Sequence, residues 1–283
     1  MSIAIFDVEC ISLGDLVLPR DGYLGYNLRG LIYSLLAEAD SECFEEVHSG
    51  GVPAPFSLYP PVGAIGGSIR ILRREIKRGM LFRFQVRSLS PRFTKALAGV
   101  LSERNRFEVG GVDVEVLSRK CEILSPEELV RFGERASDTR RILISFRTPT
   151  SIRYRVPVEP KRMVLHPLPD PRPILGGLHS IWNTYLKPKI TNRFIKWVER
   201  MGVCVAGFRR MRTVRLFEYE GGVRKRFDIG FIGLVRYTLP EELYDRKMAR
   251  YVYALLKMAE YSNVGRGRTA GLGAVKLLSP RVR

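Results

Sequence analysis

Apolar spacing along this chain alternates between a period of two and a period near 3.6, and it does so in the same order twice. Such a change of period marks a strand giving way to a helix. In the first half Ser2–Val8 alternates as a strand, and 26–38 carries apolar residues at helical spacing, Leu28, Leu31, Ile32, Leu35 and Leu36. A second short helix follows at 41–47, and 50–61 reads as a Gly/Pro-rich loop. Strands are expected at 68–72 and 81–87. Ser90 and Pro91 then suit the N-cap and first position of a helix, and 112–123 reads as a strand. The second half gives a strand at "RILISFRT", helices at 173–185 and 193–200, and a long hairpin over 203–239 with Gly221-Gly222 at its turn. The clearest helix, 241–261, presents Met248, Tyr251, Val252, Leu255, Leu256 and Ala259 on one face; a glycine-rich stretch and the strand "GAVKLL" follow it.

Each half therefore reads β-α-β-β-α-β. The expected fold class is α+β, two tandem ferredoxin-like units, with boundaries at 1–138 and 139–283. The polar stretch 134–140 between them reads as a connection. Neither half repeats the other in sequence.

Charge separates the halves. The chain has a formal net charge of +18. Residues 1–140 hold 18 Lys+Arg against 19 Asp+Glu, whereas residues 141–283 hold 29 against 10. An excess of that size on one half points to a polyanion resting there; a merely Arg-rich, thermophile-like surface is the bland alternative. Four cysteines at 10, 43, 121 and 204 lack the close spacing of a zinc site or a disulfide framework. No signal peptide or apolar span is evident at the N-terminus, so a reducing cytoplasm is the expected compartment. No metal site and no cofactor are expected.

The stretch "SNVGRGRTAGLGAV" invites a nucleotide-binding reading. A phosphate loop needs the order strand, loop, helix, with Lys-Ser/Thr closing it. Here a helix precedes and a strand follows, and no such pair closes the loop. A left-handed helix cap at Asn263 or Gly265 accounts for part of it. Gly265, Gly267, Gly271 and Gly273, interleaved with Arg266 and Arg268, read further as a surface that a nucleic-acid backbone approaches closely. The hairpin adds Arg209, Arg210, Arg212 and Arg215 on one arm and Arg224, Lys225 and Arg226 past the turn. Simple alternation places Arg210 and Arg212 on one face and Arg209 and Arg215 on the other. Phe208 and Phe217 beside them suit base stacking.

The segments "RFDIGFIGLVRYTL" and "AEYSNVGRGRTAGLGAVKL", with the long helix between them, resemble the repeat-processing endoribonucleases of the CRISPR-associated RAMP superfamily. In the first half the resemblance rests on "NLRGLIYSLL", with His48 fifteen residues after its tyrosine, and on "PFSL". It implies a metal-independent endoribonuclease cutting precursor CRISPR RNA within its repeats, with single-stranded or weakly structured repeat RNA as partner. It assigns Tyr33 and His48 the catalytic role. Helical geometry is compatible, because Tyr33 lies off the apolar stripe of its helix and His48 at the end of the next. Relatives with this pair tend to carry a lysine shortly after the histidine; here no Lys or Arg occurs between His48 and Arg70, and Ala54 stands near that place. Arg29 and Lys77 are the candidate phosphate-stabilising cations, with Arg268 beside them. His179 is a reserve catalytic candidate, and His166 reads as structural. A non-catalytic RNA-binding subunit of a CRISPR effector complex is the alternative. A nucleotide-binding domain is weaker still.

Overall fold

The structure is a computed structural model, and it describes residues 2–50, 52–156, 162–220 and 223–279. The first unit runs β1 (Ile3–Ser12), β2 (Leu16–Val17), α1 (Leu24–Ala39), α2 (Ser41–His48), β3 (Phe56–Ile65), β4 (Ser68–Ile71), β5 (Glu75–Ile76), β6 (Leu81–Ser88), α3 (Pro91–Glu103), β7 (Arg106–Val109) and β8 (Val112–Leu124). After α4 (Pro126–Ala136), the second unit runs β9 (Arg141–Thr150), β10 (Ile152–Val156), β11 (Arg162–His166), α5 (Pro171–Tyr185) and α6 (Asn192–Trp197). It ends with β12 (Cys204–Glu220), β13 (Val223–Thr238), α7 (Arg246–Ser262) and β14 (Val275–Ser279).

The two sheets share one plan. The first has the order β4-β3-β6-β1-β8-β7 and the second β12-β13-β9-β14. Its four inner members β3-β6-β1-β8 correspond position for position to β12-β13-β9-β14, so in each unit the first and third main strands sit in the middle. That is the antiparallel order of a ferredoxin-like β-α-β-β-α-β unit, as the periodicity predicts. The five predicted stripe residues of α1 are all buried, and with α3 they form a core on one face of the first sheet. The second core gathers β9, β13, α5 and α7.

Besides the short strands β2, β5 and β7 and the later start of α7, at Arg246 and not 241, three elements differ from the expectation. Residues 56–61, read as loop, begin β3. Pro60 and Pro61 fall where the register with β6 shifts between Tyr59 and Val62, a bulge that needs no donor from them. The connection read at 134–140 begins inside a helix, since α4 reaches Ala136. Ser125 caps it in a full capping box with Glu128, and Pro126 opens it. That Ser-Pro-Glu-Glu signature was visible in the sequence. Although α4 precedes residue 138, Leu129 and Ala136 lie in the second core, and Gly133 lets α4 approach the Arg250 carbonyl of α7. Third, β10 and β11 form a small antiparallel hairpin. The 12/13 hairpin is present as predicted, while its Gly221-Gly222 turn lies outside the described residues.

The glycine-rich stretch joins the two units. Asn263 is the C-cap of α7 with φ 57°, but its ψ of 177° lies outside the left-handed helical region of the cap reading, and Gly265 (φ 74°) stands two residues beyond it. The buried Asn263 amide donates to Leu58 O of β3 at 2.8 Å and to Leu272 O at 3.1 Å. Leu272 inserts beside Tyr23, which precedes α1. A Cβ on Gly25 of α1 would lie 1.9 Å from Ala270 O, and one on Gly273 would lie 1.8 Å from Val264 O. Gly273→Ala adds that clash to a φ of +69°. It is expected to cost about 2–4 kcal/mol in chemical denaturation; a wild-type midpoint would refute this account of the packing.

Candidate functional site

Asp40 sets the relation between α1 and α2. Its extended backbone (φ −160°) ends α1, with its N–H donated to Leu36 O, while its carboxylate accepts from Cys43 N at 2.9 Å and caps α2. Arg92, at the start of α3, then binds the same carboxylate with two donors, at 2.7 and 2.8 Å, and reaches Glu42 and Glu46 at 2.9 and 2.8 Å. The Arg92 guanidinium, then the Cys43 N–H, hold the Asp40 carboxyl below its usual range. This bracket fixes the direction in which α2 delivers its last residue, His48.

Tyr33 of α1 and His48 are brought together. Their rings meet edge to face with centroids 6.0 Å apart. The imidazole stacks on Phe44, one turn back, at 5.4 Å, and Tyr33 also meets Phe44 and Phe56 edge to face at 6.1 and 5.9 Å. His48 is exposed and Tyr33 half-buried. The result is a solvent-facing imidazole held on an aromatic floor, with a phenol beside it. Such a pair can exchange protons with a bound substrate.

The two candidate cations are not delivered with it. Arg29 is engaged by Glu218 of β12 and lies 5.2 Å from the Tyr26 ring centroid. Lys77 belongs to the other end of the first sheet. The Ala4, Ser88 and Phe56 pairings mark the end near His48, whereas Ile11 pairs with Leu81 and Gly79 N donates to Ser12 O at the far end. Seven residues of strand separate those ends, about 23 Å. Lys77 as a phosphate ligand at His48 is therefore corrected.

Arg268 is corrected as an open phosphate contact as well. It is 7% exposed, and its Nη1 donates to Ser262 O at 2.8 Å and its Nη2 to Ala54 O at 2.9 Å. Burial lowers its pKa to about 10, which still leaves it charged at neutral pH. Arg266 pairs with the buried Asp228 at 2.8 Å. The glycines permit close approach, but to this chain's own atoms: Gly265 to Ser151 O, Gly267 to Leu272, Gly271 to Leu58 O and Pro60 N, and Gly273 to Val264 O. Gly271 and Gly273 are buried, so no other backbone reaches them; Gly265 stays exposed and Gly267 half-buried.

The hairpin keeps its charge in the open. Arg209, Arg210, Arg212 and Arg215 are exposed, and among the described residues none has an ion-pair partner. Their faces differ from simple alternation. Arg209 pairs with Leu234 and Arg212 with Ile232, so three residues on β12 span two on β13. Arg210 sits in this bulge with φ +52°, and Gly233 opposite leaves room for its carbonyl. Arg209 and Arg212 therefore share a face, and Arg215, opposite Ile229, lies on the other. Arg224, Lys225 and Arg226 lie on β13, and their side chains lie outside the described residues.

His179 is removed as a reserve: it is buried, with Nε2 2.9 Å from Ile190 O and 3.1 Å from the Asn183 amide, and it stacks on Phe194. His166 packs edge to face on Tyr154. No group of three His, Cys, Asp or Glu among the described residues is placed to hold a metal ion. No helix among them is long and apolar enough to cross a membrane. Sequence reasoning missed the Arg92 bracket and the donors on the loop after His48. Both join residues far apart in the chain, so no local pattern announces them.

Residues 144–275, just under half of the chain, match the family model described as CRISPR-associated endoribonuclease Cas6. No curated protein sequence matches. Among solved structures, a Cas6 product complex superposes with a TM-score of 0.72 over 98% of this chain and 100% of its own, at 22% identity. Thermus thermophilus Cas6 gives 0.65 at 20% identity, covering 98% and 99%. A Cas6-related protein from Pyrococcus furiosus gives 0.60 at 12% identity, covering 99% and 100%. Residues 144–275 thus carry a sequence pattern similar to that of the Cas6 family, and nearly the whole chain shares the fold of these structures.

Proposed function

We propose that this protein is an endoribonuclease that cuts CRISPR precursor RNA within its repeats, without a metal, to give mature guide RNA. The observation that carries the reading is the Tyr33–His48 pair, assembled at the exposed end of α2 beside an aromatic floor. The ribose 2′-hydroxyl forms a bond to the adjacent phosphorus, and the bond from phosphorus to the 5′-oxygen breaks. One proton leaves the 2′-hydroxyl to a base, and one reaches the 5′-oxygen from an acid. The products are a 2′,3′-cyclic phosphate and a 5′-hydroxyl. His48 serves as general base or acid, and Tyr33 as its partner or as a donor orienting the phosphate.

Repeat RNA, single-stranded or weakly structured, rests on the basic second half. The exposed, unpaired arginines of the hairpin are its strongest support, with Phe208 beside them, 62% exposed, as a stacking surface. Arg224, Lys225 and Arg226, on the other arm just past the turn, are assigned to the same RNA contact. Gly265 and Gly267 are the part of the glycine-rich stretch open enough to add a backbone contact. The two units are taken as 1–138, carrying the catalytic pair, and 139–283, carrying most of the RNA surface, with α4 packed across the junction. The setting is the cytoplasm.

A second reading has a specific observation behind it. The loop after His48 brings no cation, and neither Arg29 nor Lys77 replaces one. A protein that binds repeat RNA without cutting it, as a subunit of a CRISPR effector complex, would need none.

A single-turnover assay on the host's own repeat RNA with a chelator separates the two. Cleavage is expected to persist with chelator and to stop when the 2′-hydroxyl at the cut site is removed; cutting of the 2′-deoxy RNA would sink the mechanism. His48→Ala is expected to slow cutting by about 10²–10⁴-fold with near-normal binding, and an unchanged rate would move the site elsewhere. The double change Arg209→Ala and Arg212→Ala, on one face, is expected to weaken binding and to lower the slope of log affinity against log salt by about 2. An unaltered slope would mean that this face does not meet RNA.

A further inference from the structure

The segment Val52-Pro53-Ala54-Pro55, between His48 and β3, cannot build a ladder of its own, because two of its residues lack an N–H. Its carbonyls must find donors elsewhere, and three in succession do so. Pro53 O accepts from the Tyr185 hydroxyl at the end of α5, Ala54 O from Arg268 Nη2 at 2.9 Å, and Pro55 O from Leu89 N at 2.7 Å. Two of the three donors come from the second unit. The ends of the loop are held by one ring: Tyr33 meets both His48 and Phe56 edge to face.

Arg268 is placed at some expense. A buried guanidinium is strongly disfavoured unless it is well bonded, and this one faces main-chain carbonyls. Its two recorded bonds tie the C-terminal end of α7, through Ser262 O, to the loop of His48, through Ala54 O. Around it the glycine-rich stretch is fixed by Asn263 on Leu58 O and by Thr148 on Gly271 O at 2.9 Å. The stretch is thus a rigid mount for Arg268. A helix cap alone would need no such residue.

We propose that Arg268 and Tyr185 are positioning residues for the cleavage reaction: they hold the loop after His48 so that the imidazole stays where α2 delivers it. The second unit thereby sets the place of a catalytic group carried by the first. This rests on the assignment of His48 to the acid–base step. It gives the arginine of the glycine-rich stretch a part in turnover and not in affinity.

The test uses Tyr185→Phe, which keeps the ring and removes one donor, and Arg268→Lys, which keeps the charge but has no fork to span both carbonyls. Three quantities are read on the full chain: the single-turnover rate at saturating repeat RNA, the Kd for the uncleavable 2′-deoxy RNA, and hydrogen exchange at the amides of Ser49, Gly50 and Ala54. Each variant is expected to lose about tenfold in rate, to keep Kd within about twofold, and to exchange faster at those amides. A Kd that weakens in step with the rate would overturn the proposal by making these residues RNA contacts. Unchanged rate and exchange would overturn it as well. If the wild-type protein gives no product, the nuclease reading fails by itself, and the exchange measurement still decides whether the loop is clamped. Should Arg268→Lys fail to fold, Tyr185→Phe carries the test alone.

Discussion

The contact on which the rest depends is the insertion of residues 263–273 between the two sheets. Three main-chain segments meet there: Ala270 O over Gly25 of α1 and Gly265 against Ser151 O after β9, at separations that exclude a side chain, and Gly271 against β3, where a Cβ would be tight. Asn263 bonds the carbonyls of Leu58 and Leu272 inside this contact. A buried carbonyl left without a donor costs about 1–3 kcal/mol, so the segment must adopt one register. Once it does, β3, α1 and the loop after His48 have fixed positions relative to β9 and α7. The glycines are there for intramolecular packing first.

Charge in this protein divides by role in a way that composition does not show. The basic excess of the second half includes arginines spent on the fold and arginines left free. Arg266 is neutralised by Asp228, and Arg268 is sunk among carbonyls. Those of the β12 arm face water. Only the latter retain the field that attracts a polyanion. The bulge at Arg210 matters for the same reason. By inserting one residue it aligns Arg209 with Arg212 on one side of the ribbon, giving a spaced pair where alternation would have split them.

The Tyr33–His48 pair is held largely by packing. Tyr33 and His48 take their places from Phe44 and Phe56, and α2 takes its direction from the Asp40–Arg92 bracket. That bracket is partly exposed, so its worth lies in orientation more than in stability. An imidazole on an aromatic floor, open on its outer side, is a workable proton-transfer group.

Sequence by itself determined the two β-α-β-β-α-β units, because apolar periodicity is a local property that survives without knowledge of partners. It also located the basic excess in one half, which points to a polyanion, and marked helix ends at Ser90 and Asn263, where caps depend on a few adjacent residues. Within the first unit it was the resemblance to a family that pointed to Tyr33 and His48, fifteen residues apart. Only the tertiary structure decided which arginines are free. Arg268 looks the same in sequence as Arg212, and what distinguishes them is a carbonyl 214 residues away in the chain. The same holds for Lys77, which the sheet register carries to the far end of β1, and for the loop after His48, whose donors belong to the other unit. Long-range pairing of polar groups is set by how the sheets stack, and no local pattern encodes it.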